Sequence, residues 1–203
     1  EHVIGKEVEK ALNDSIKAEK PYWVIDKIPF LFSIGIIGEK KNFHVLVEMM
    51  NYLPDINLYI SGKKGSAYAN EIENLIITHK LVNRVFLTGE IEESEKNWLY
   101  KNCSAFVFPS KNEGFGLPVA EALLSGTPVI TSDNSSLPEA GGPHSLYIDP
   151  SSTESISVAI EKIQDDSEFA KKMSVEGLRY AEDKFDAKKL TTQIMTLYQN
   201  INE

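Results

Sequence analysis

Apolar positions along the chain follow two patterns that take turns. Short, nearly unbroken apolar runs occur at Phe30-Leu31-Phe32-Ser33-Ile34-Gly35, Asn57-Leu58-Tyr59-Ile60-Ser61, Arg84 to Thr88, Ala105 to Phe108, Val129 to Thr131 and Leu146-Tyr147-Ile148. Gly, Pro or Asp punctuates their ends, and they predict six strands. Between them the apolar residues recur at helical spacing. Phe43, Leu46, Met49, Met50 and Leu53 mark a helix from about Asn42, and Ile72, Leu75 and Ile76 one from Ala67 to Lys80. Trp98, Leu99 and Tyr100 belong to a helix from Glu93 to Asn102, and Leu117 to Leu124 is a short apolar helix ended at Gly126. A helical turn is expected near Leu137-Pro138-Glu139. Two helices then follow, Thr153 to Ile163 with Ile156, Ala159, Ile160 and Ile163 on one face, and Glu168 to about Asp183. A polar helix from 5 to about 20 carries a thin seam of Val8, Leu12 and Ile16, and a last helix from about Ala187 carries Leu190, Ile194, Leu197, Tyr198 and Ile201.

Strands that alternate with helices and are apolar throughout belong to a parallel sheet buried on both faces. Right-handed crossovers make it an open, doubly wound α/β sheet of six parallel strands with helices on both faces. The expected division is an N-terminal helix and linker over 1–27, a Rossmann-like domain over 28–185 and a C-terminal helix over 186–203. Ligands of such sheets sit at the carboxyl ends of the strands. The loops to examine are those after Gly35, Ser61, Thr88, Phe108 and Thr131.

Composition narrows the chemistry. The 203 residues are 42% hydrophobic and 25% charged, the balance of a globular α/β domain. The formal net charge of −9 argues against nonspecific nucleic-acid binding, which needs clustered Lys and Arg, so an anionic ligand would require locally arranged positive potential. The single cysteine, Cys103, excludes an intrachain disulfide and fits a reducing compartment. No apolar run approaches the ~20 residues that span a bilayer, and no secretory leader is visible. A chain that starts at Glu1 rather than Met is expected to be a segment with an N-terminal partner missing.

The loop GIIGEKKN after the first strand lacks the G-x-G-x-x-G fingerprint, and no P-loop occurs, so nicotinamide chemistry is not indicated. There is no His/Cys cluster at metal spacing, no G-x-S-x-G, and no D-x-D pair to hold a divalent cation on a diphosphate. What remains is FVFPSKNEGFGLPVAEALLSGTPVIT, Phe106 to Thr131, which reads as strand, glycine loop, helix and strand. Glu113 lies in the loop and Glu121 on the helix, with seven residues between them. Loop glycines let a backbone approach a ligand closely, and the N–H groups at the helix start suit an anion. A carboxylate such as Glu121 can accept hydrogen bonds from two vicinal hydroxyls. The same spacing also fits an exposed Glu and a helix-start Glu with no ligand at all.

EGFGLPVAEALLSGTPVI closely resembles the E-x7-E motif of retaining glycosyltransferases of family four (group 1), enzymes of the two-domain GT-B fold. The resemblance extends to FSIGIIGEKKNFHVLVEMM, NLYISG, RVFLTGEIEESEKNWLYKNCSAFVFPS and SSLPEAGGPHSLYIDP, in the family's order over residues 30 to 150. It implies the C-terminal, donor-binding half of such an enzyme, with the acceptor-binding N-terminal half outside this chain. It further implies that Glu113, Gly114, Phe115 and Gly116 meet the donor sugar, and that Lys41, Gly116 and Leu117 meet the diphosphate, with Pro118 beside the phosphates and ribose. Glu121 would hold the ribose, and Gly89, Glu90 and Ile91 would face the base. The implied reaction is metal-independent transfer, with retention, of a sugar from a UDP- or GDP-linked donor to a glycan or lipid-linked acceptor, as in O-antigen or other polysaccharide synthesis. No further cofactor is implied, no catalytic nucleophile is identifiable in this half, and the isolated chain is expected to turn over poorly. The implied location is cytoplasmic, peripheral to the inner membrane surface, although no basic amphipathic helix demands it.

One departure stands out: Ile36 occupies the place of the family's Arg after the first-strand glycine. Lys63, Lys64 or Lys111, all after strand ends, are the candidate substitutes. Two alternatives stay open, a nucleotide-sugar epimerase of the same fold and a non-catalytic binding module. His44 reads as a packed or capping histidine, His2, His79 and His144 as surface residues, and Cys103, Trp98 and Tyr100 as core. Glu92, Glu93 and Glu95 read as a solvated helix start and Glu139 as a helix-start residue. Lys171-Lys172 and Lys188-Lys189 read as solvated faces.

Overall fold

The structure is a computed structural model that describes residues 18–186. The expected helices over 5–20 and from Ala187, with His2 and Lys188-Lys189, lie largely or wholly outside the described residues. Six strands are present: β1 Phe30–Ile34, β2 Asn57–Ser61, β3 Val85–Gly89, β4 Ala105–Phe108, β5 Val129–Ser132 and β6 Leu146–Ile148. They form one sheet in the order β3-β2-β1-β4-β5-β6, and every pairing is parallel. The doubly wound prediction holds, and the order adds what the pattern could not give. The chain reverses direction across the sheet between β1 and β4, so a crevice opens at their carboxyl ends.

The helices are α1 Phe43–Met49, α2 Ala67–Thr78, α3 Glu93–Asn102, α4 Leu117–Leu124, α5 Leu137–Gly141, α6 Thr153–Asp165 and α7 Ser167–Lys184. Boundaries agree with the reading of the sequence to within a few residues, with one informative difference. The first helix stops at Met49, and Met50 and Leu53 reach the core from the turn that follows. A 3-10 turn, Glu39–Lys41, precedes it.

The strands look featureless in the sequence because both faces are buried, yet they alternate in kind. Leu31, Leu58, Ile60, Ala105, Val107 and Ile130 face an aliphatic layer with α1, α2 and α6. Phe30, Phe32, Tyr59, Phe106 and Phe108 face an aromatic layer with α3, α4 and α5. In that layer Phe32 meets Tyr100 at 5.1 Å between ring centres, and Tyr100 meets Phe106 at 5.1 Å, both edge to face. Burial of each such ring contributes roughly 2–3 kcal/mol. Trp98 is a partial exception to the expected core: it is half-buried and stacks on Phe30 at 6.0 Å, while Asn97 beside it is buried. Helix α7 begins in the aliphatic layer at Met173 and ends in the aromatic one at Ala181. It crosses α4 so closely that a Cβ added at Gly177 would lie 2.8 Å from Leu123 Cδ2.

Candidate donor-binding site

Helix starts differ in how they are capped, and α1, α4 and α5 carry no side-chain cap. Ser66, Ser152 and Asp166 cap α2, α6 and α7 with their side chains, and Glu92 and Glu95 form a capping box on α3. Helix α4 has no such cap. Its N-cap is Gly116, at φ +96°, where an added Cβ would stand 2.9 Å from Leu137 Cδ2 and 3.2 Å from Ala140 Cβ on α5. The backbone N–H groups of Gly114, Phe115, Gly116 and Leu117 donate no hydrogen bond among the described residues. A helix start left open beside a reversal of strand order concentrates partial positive charge where an anion can reach it.

Glu113 is held beside that start from three strand ends. Its Oε1 accepts from Lys41 Nζ at 2.6 Å and from Ser110 Oγ at 2.6 Å. Its N–H donates to Ser135 Oγ at 3.0 Å, and its carbonyl accepts from Ser136 Oγ at 3.0 Å. Loops after β1, β4 and β5 thus converge on one residue, the first two on its carboxylate and the third on its backbone. The pair is mostly out of solvent, with side-chain exposures of 18% for Lys41 and 16% for Glu113, so the charge-assisted bonds act in a reduced dielectric. Lys41 Nζ also lies 4.7 Å from the centre of the Phe108 ring.

The loop that carries Lys41 is anchored by Asn42. This residue adopts the left-handed conformation, φ 59°, and its Nδ2 donates to the carbonyls of Pro109 at 3.1 Å and Pro150 at 2.6 Å. The other cations named from the sequence go elsewhere. Lys64 pairs with Glu73 at 3.3 Å, and Lys63 is exposed. Lys111 lines a cavity of about 360 Å³ with Glu39, His44, Tyr68 and Glu71. Ile36 is 72% exposed. His44 is half-buried, with its ring Nδ1 2.9 Å from the Tyr68 hydroxyl, which fits the packed-histidine reading.

Glu121 lies one turn further along α4. Its Oε1 is 3.2 Å from Lys96 Nζ and its Oε2 is 3.1 Å from the Tyr100 hydroxyl. Burial, reinforced by the Glu121 charge, holds the Tyr100 phenol well above its ordinary range, so it serves as a donor. Phe115 turns its ring to Phe185, 5.7 Å away edge to face. Gly89 ends β3 and accepts from Gly62 N–H at 2.8 Å; Glu90 is exposed, and Ile91 packs on the aromatic layer. Cys103 is buried and its thiol is pushed up by burial, as befits a packed apolar group. Glu139 starts α5 and pairs with Lys184.

The family profile described as "Glycosyl transferases group 1" matches residues 9–179. The chain belongs to the group 1 glycosyltransferases. The O-antigen chain mannosyltransferase B of Escherichia coli is 31% identical over 172 residues, which are 82% of this chain and 44% of that protein. The O-antigen chain mannosyltransferase RfbU of Salmonella typhimurium is 30% identical over 139 residues, 68% of this chain and 39% of that protein. The chain therefore spans less than half the length of these relatives. Among solved structures, sucrose-phosphate synthase from Thermosynechococcus elongatus superposes with a TM-score of 0.79 at 26% identity, over 88% of this chain and 46% of that one. The C-terminal domain of a group 1 glycosyltransferase from Francisella tularensis superposes with a TM-score of 0.71 at 22% identity, over 85% of this chain and 97% of that domain. This glycosyltransferase chain thus has the fold of a GT-B C-terminal domain, as its motifs imply.

Lys41, Glu113 and Glu121 can be named as candidates from the sequence, but their partners cannot. Ser110, Ser135 and Ser136 look like turn residues, and only the meeting of three loops gives them a common target. Lys96 is a lone cation in an acidic helix start, which was the one available signal. Among the described residues no cluster of His, Cys, Asp and Glu could hold a metal ion, and no helix is long and apolar enough to cross a membrane.

Proposed function

We propose that this domain binds the nucleotide diphosphate sugar donor of a retaining glycosyltransferase that extends O-antigen or a related glycan. The observation that carries the reading is the convergence of Lys41 and Glu113 on the uncapped start of α4, at the β1–β4 reversal. The diphosphate would meet the free N–H groups from Gly114 to Leu117 and the Lys41 ammonium. Glu113 would accept hydroxyls of the sugar, and Glu121 those of the ribose. The base would rest against Gly89, Glu90 and Ile91 at the end of β3, three strand spacings from β4 and so ~14 Å away. Glu121, on the fifth residue of α4, lies ~6 Å along the axis from the helix start and leans on α3, the helix that follows the base loop.

In the reaction the bond between the anomeric carbon and the terminal phosphate oxygen breaks, and its electron pair stays on the diphosphate. Preorganised N–H donors and Lys41 stabilise that growing charge and need no divalent cation to do so. The acceptor hydroxyl, held by a partner domain outside this chain, bonds to the same face of the carbon and passes its proton to the departing diphosphate oxygen. The mannosyltransferase relatives favour mannose as the transferred sugar.

Calorimetric titration with UDP and GDP tests the reading. One of the two is expected to bind at millimolar affinity or better, and Glu121→Ala to weaken it at least tenfold, the loss of hydrogen bonds to a charged acceptor. Binding of neither, or binding indifferent to Glu121→Ala, would refute the donor-site assignment and favour a non-catalytic module.

A further inference from the structure

Glu121 is not left to find its ligand alone. Its two oxygens offer about four acceptor positions. Lys96 takes one on Oε1 at 3.2 Å, and Tyr100 takes one on Oε2 at 3.1 Å. One position remains on each oxygen, the number a pair of vicinal hydroxyls requires. Tyr100 is buried and its hydroxyl also lies 3.3 Å from the Pro118 carbonyl, which fixes it against the first turn of α4. Lys96 is itself held: Glu93 Oε1 is 2.8 Å from its Nζ, and only 15% of its side chain is exposed.

We propose that Lys96 is a positioning residue of the ribose site, one that fixes the Glu121 carboxylate from the α3 side so that its remaining lone pairs select a ribonucleotide over its deoxy counterpart. The proposal rests on the reading of Glu121 as the ribose acceptor. Three features distinguish Lys96 from an ordinary surface cation. It bridges two helices rather than one, joining Glu93 on α3 to Glu121 on α4. Burial pulls its ammonium down, but Glu121 and Glu93 outweigh burial and hold it above its ordinary value, so the charge is secure. It also stands one turn from the base loop, on the helix that starts at Glu93, two residues after Ile91. A carboxylate bound on one oxygen only, by Tyr100, would be free to rotate about its last bond and would present two hydroxyls with no fixed plane. Without Lys96, Glu93 and Glu121 would also face an incoming diphosphate as two uncompensated negative charges.

The test compares UDP and GDP with their 2′,3′-dideoxy analogues, titrated into the wild-type chain and its variants. In the wild type the nucleotide that binds is expected to bind at least about tenfold more tightly than its dideoxy analogue. In Lys96→Met that ratio is expected to fall to within about threefold of unity, and Lys96→Arg, which keeps a donor toward Glu121, is expected to restore most of it. Glu93→Gln, which loosens Lys96 without removing it, is expected to lower the ratio by about threefold and serves as the second readout if Lys96→Met does not fold. A wild type that binds neither nucleotide, or does not discriminate, overturns the ribose reading and this proposal together. A wild type that discriminates, with Lys96→Met discriminating equally, overturns the proposal and leaves the ribose reading intact. Equal weakening of both ligands in Lys96→Met has the same meaning, because a general loss of charge or of packing would not change their ratio.

Discussion

Replacing Gly116 by Ala would test whether the open start of α4 is built by packing against α5. Two costs add. A residue with a Cβ in the left-handed region at φ +96° loses about 1–2 kcal/mol. The new methyl would stand 2.9 Å from Leu137 Cδ2 and 3.2 Å from Ala140 Cβ, and making room in a packed layer costs about 1–3 kcal/mol. Gly126→Ala supplies the control. Gly126 follows the same helix at φ +71°, and nothing lies within 4 Å of its added Cβ, so only the conformational cost applies. Urea unfolding at constant m-value should therefore place Gly116→Ala about 1–3 kcal/mol below Gly126→Ala. Nucleotide affinity should fall in the first variant and stay at the wild-type level in the second, because only the first moves the N–H groups beside Glu113. Equal stability of the two variants, within about 0.5 kcal/mol, would refute the packing argument.

Asn42→Gly keeps the left-handed turn but loses the bonds to Pro109 and Pro150, an expected cost of about 1–3 kcal/mol, and Asn42→Ala should cost about 1 kcal/mol more; a reversed order in urea melts would contradict the role given to Asn42. Burial depresses His44 below its ordinary 6.5; Glu48 opposes the shift, Lys111 adds to it and Glu71 opposes it. In the window just below 6.5 the unfolded chain binds the proton more readily than the folded one. The stability His44 contributes is thus complete above that value and is lost as pH falls through the folded value. The urea midpoint should drop less between about pH 7.5 and about pH 5 in His44→Gln than in the wild type, and an unchanged drop would remove His44 from the account.

The sheet was legible because parallel strands buried on both faces leave unbroken apolar runs, and because the glycines that end them are also signals. Strand order was not, since it depends on which layer each helix enters. Alternation of Phe30, Leu31 and Phe32, or of Ala105, Phe106 and Val107, encodes the two layers, but a scale that scores only apolar against polar does not separate aromatic from aliphatic. At the site, the ionised residues could be named because their spacing resembles a known motif. The compensating groups could not, because Ser135 meets Glu113, and Lys96 meets Glu121, only through tertiary contacts. Trp98, read as core, is half-buried and packs on the aromatic layer, while the buried position beside it belongs to Asn97.

The close crossing of α7 over α4 at Gly177 and Leu123 sets the order in which this molecule can be finished. Strand pairings among β1, β2 and β4 can form once the chain is available through Phe108. The orientation of α4, and with it the ring of loops around Glu113, waits for a helix that follows every strand of the sheet in the sequence. A chain released short of α7 would keep most of its sheet yet display a slack crevice and an uncovered aromatic layer, a sticky intermediate of the sort chaperones attend. The shape of the crevice is thus a late event of folding, and damage to α7 would be felt through α4 at the loops around Glu113.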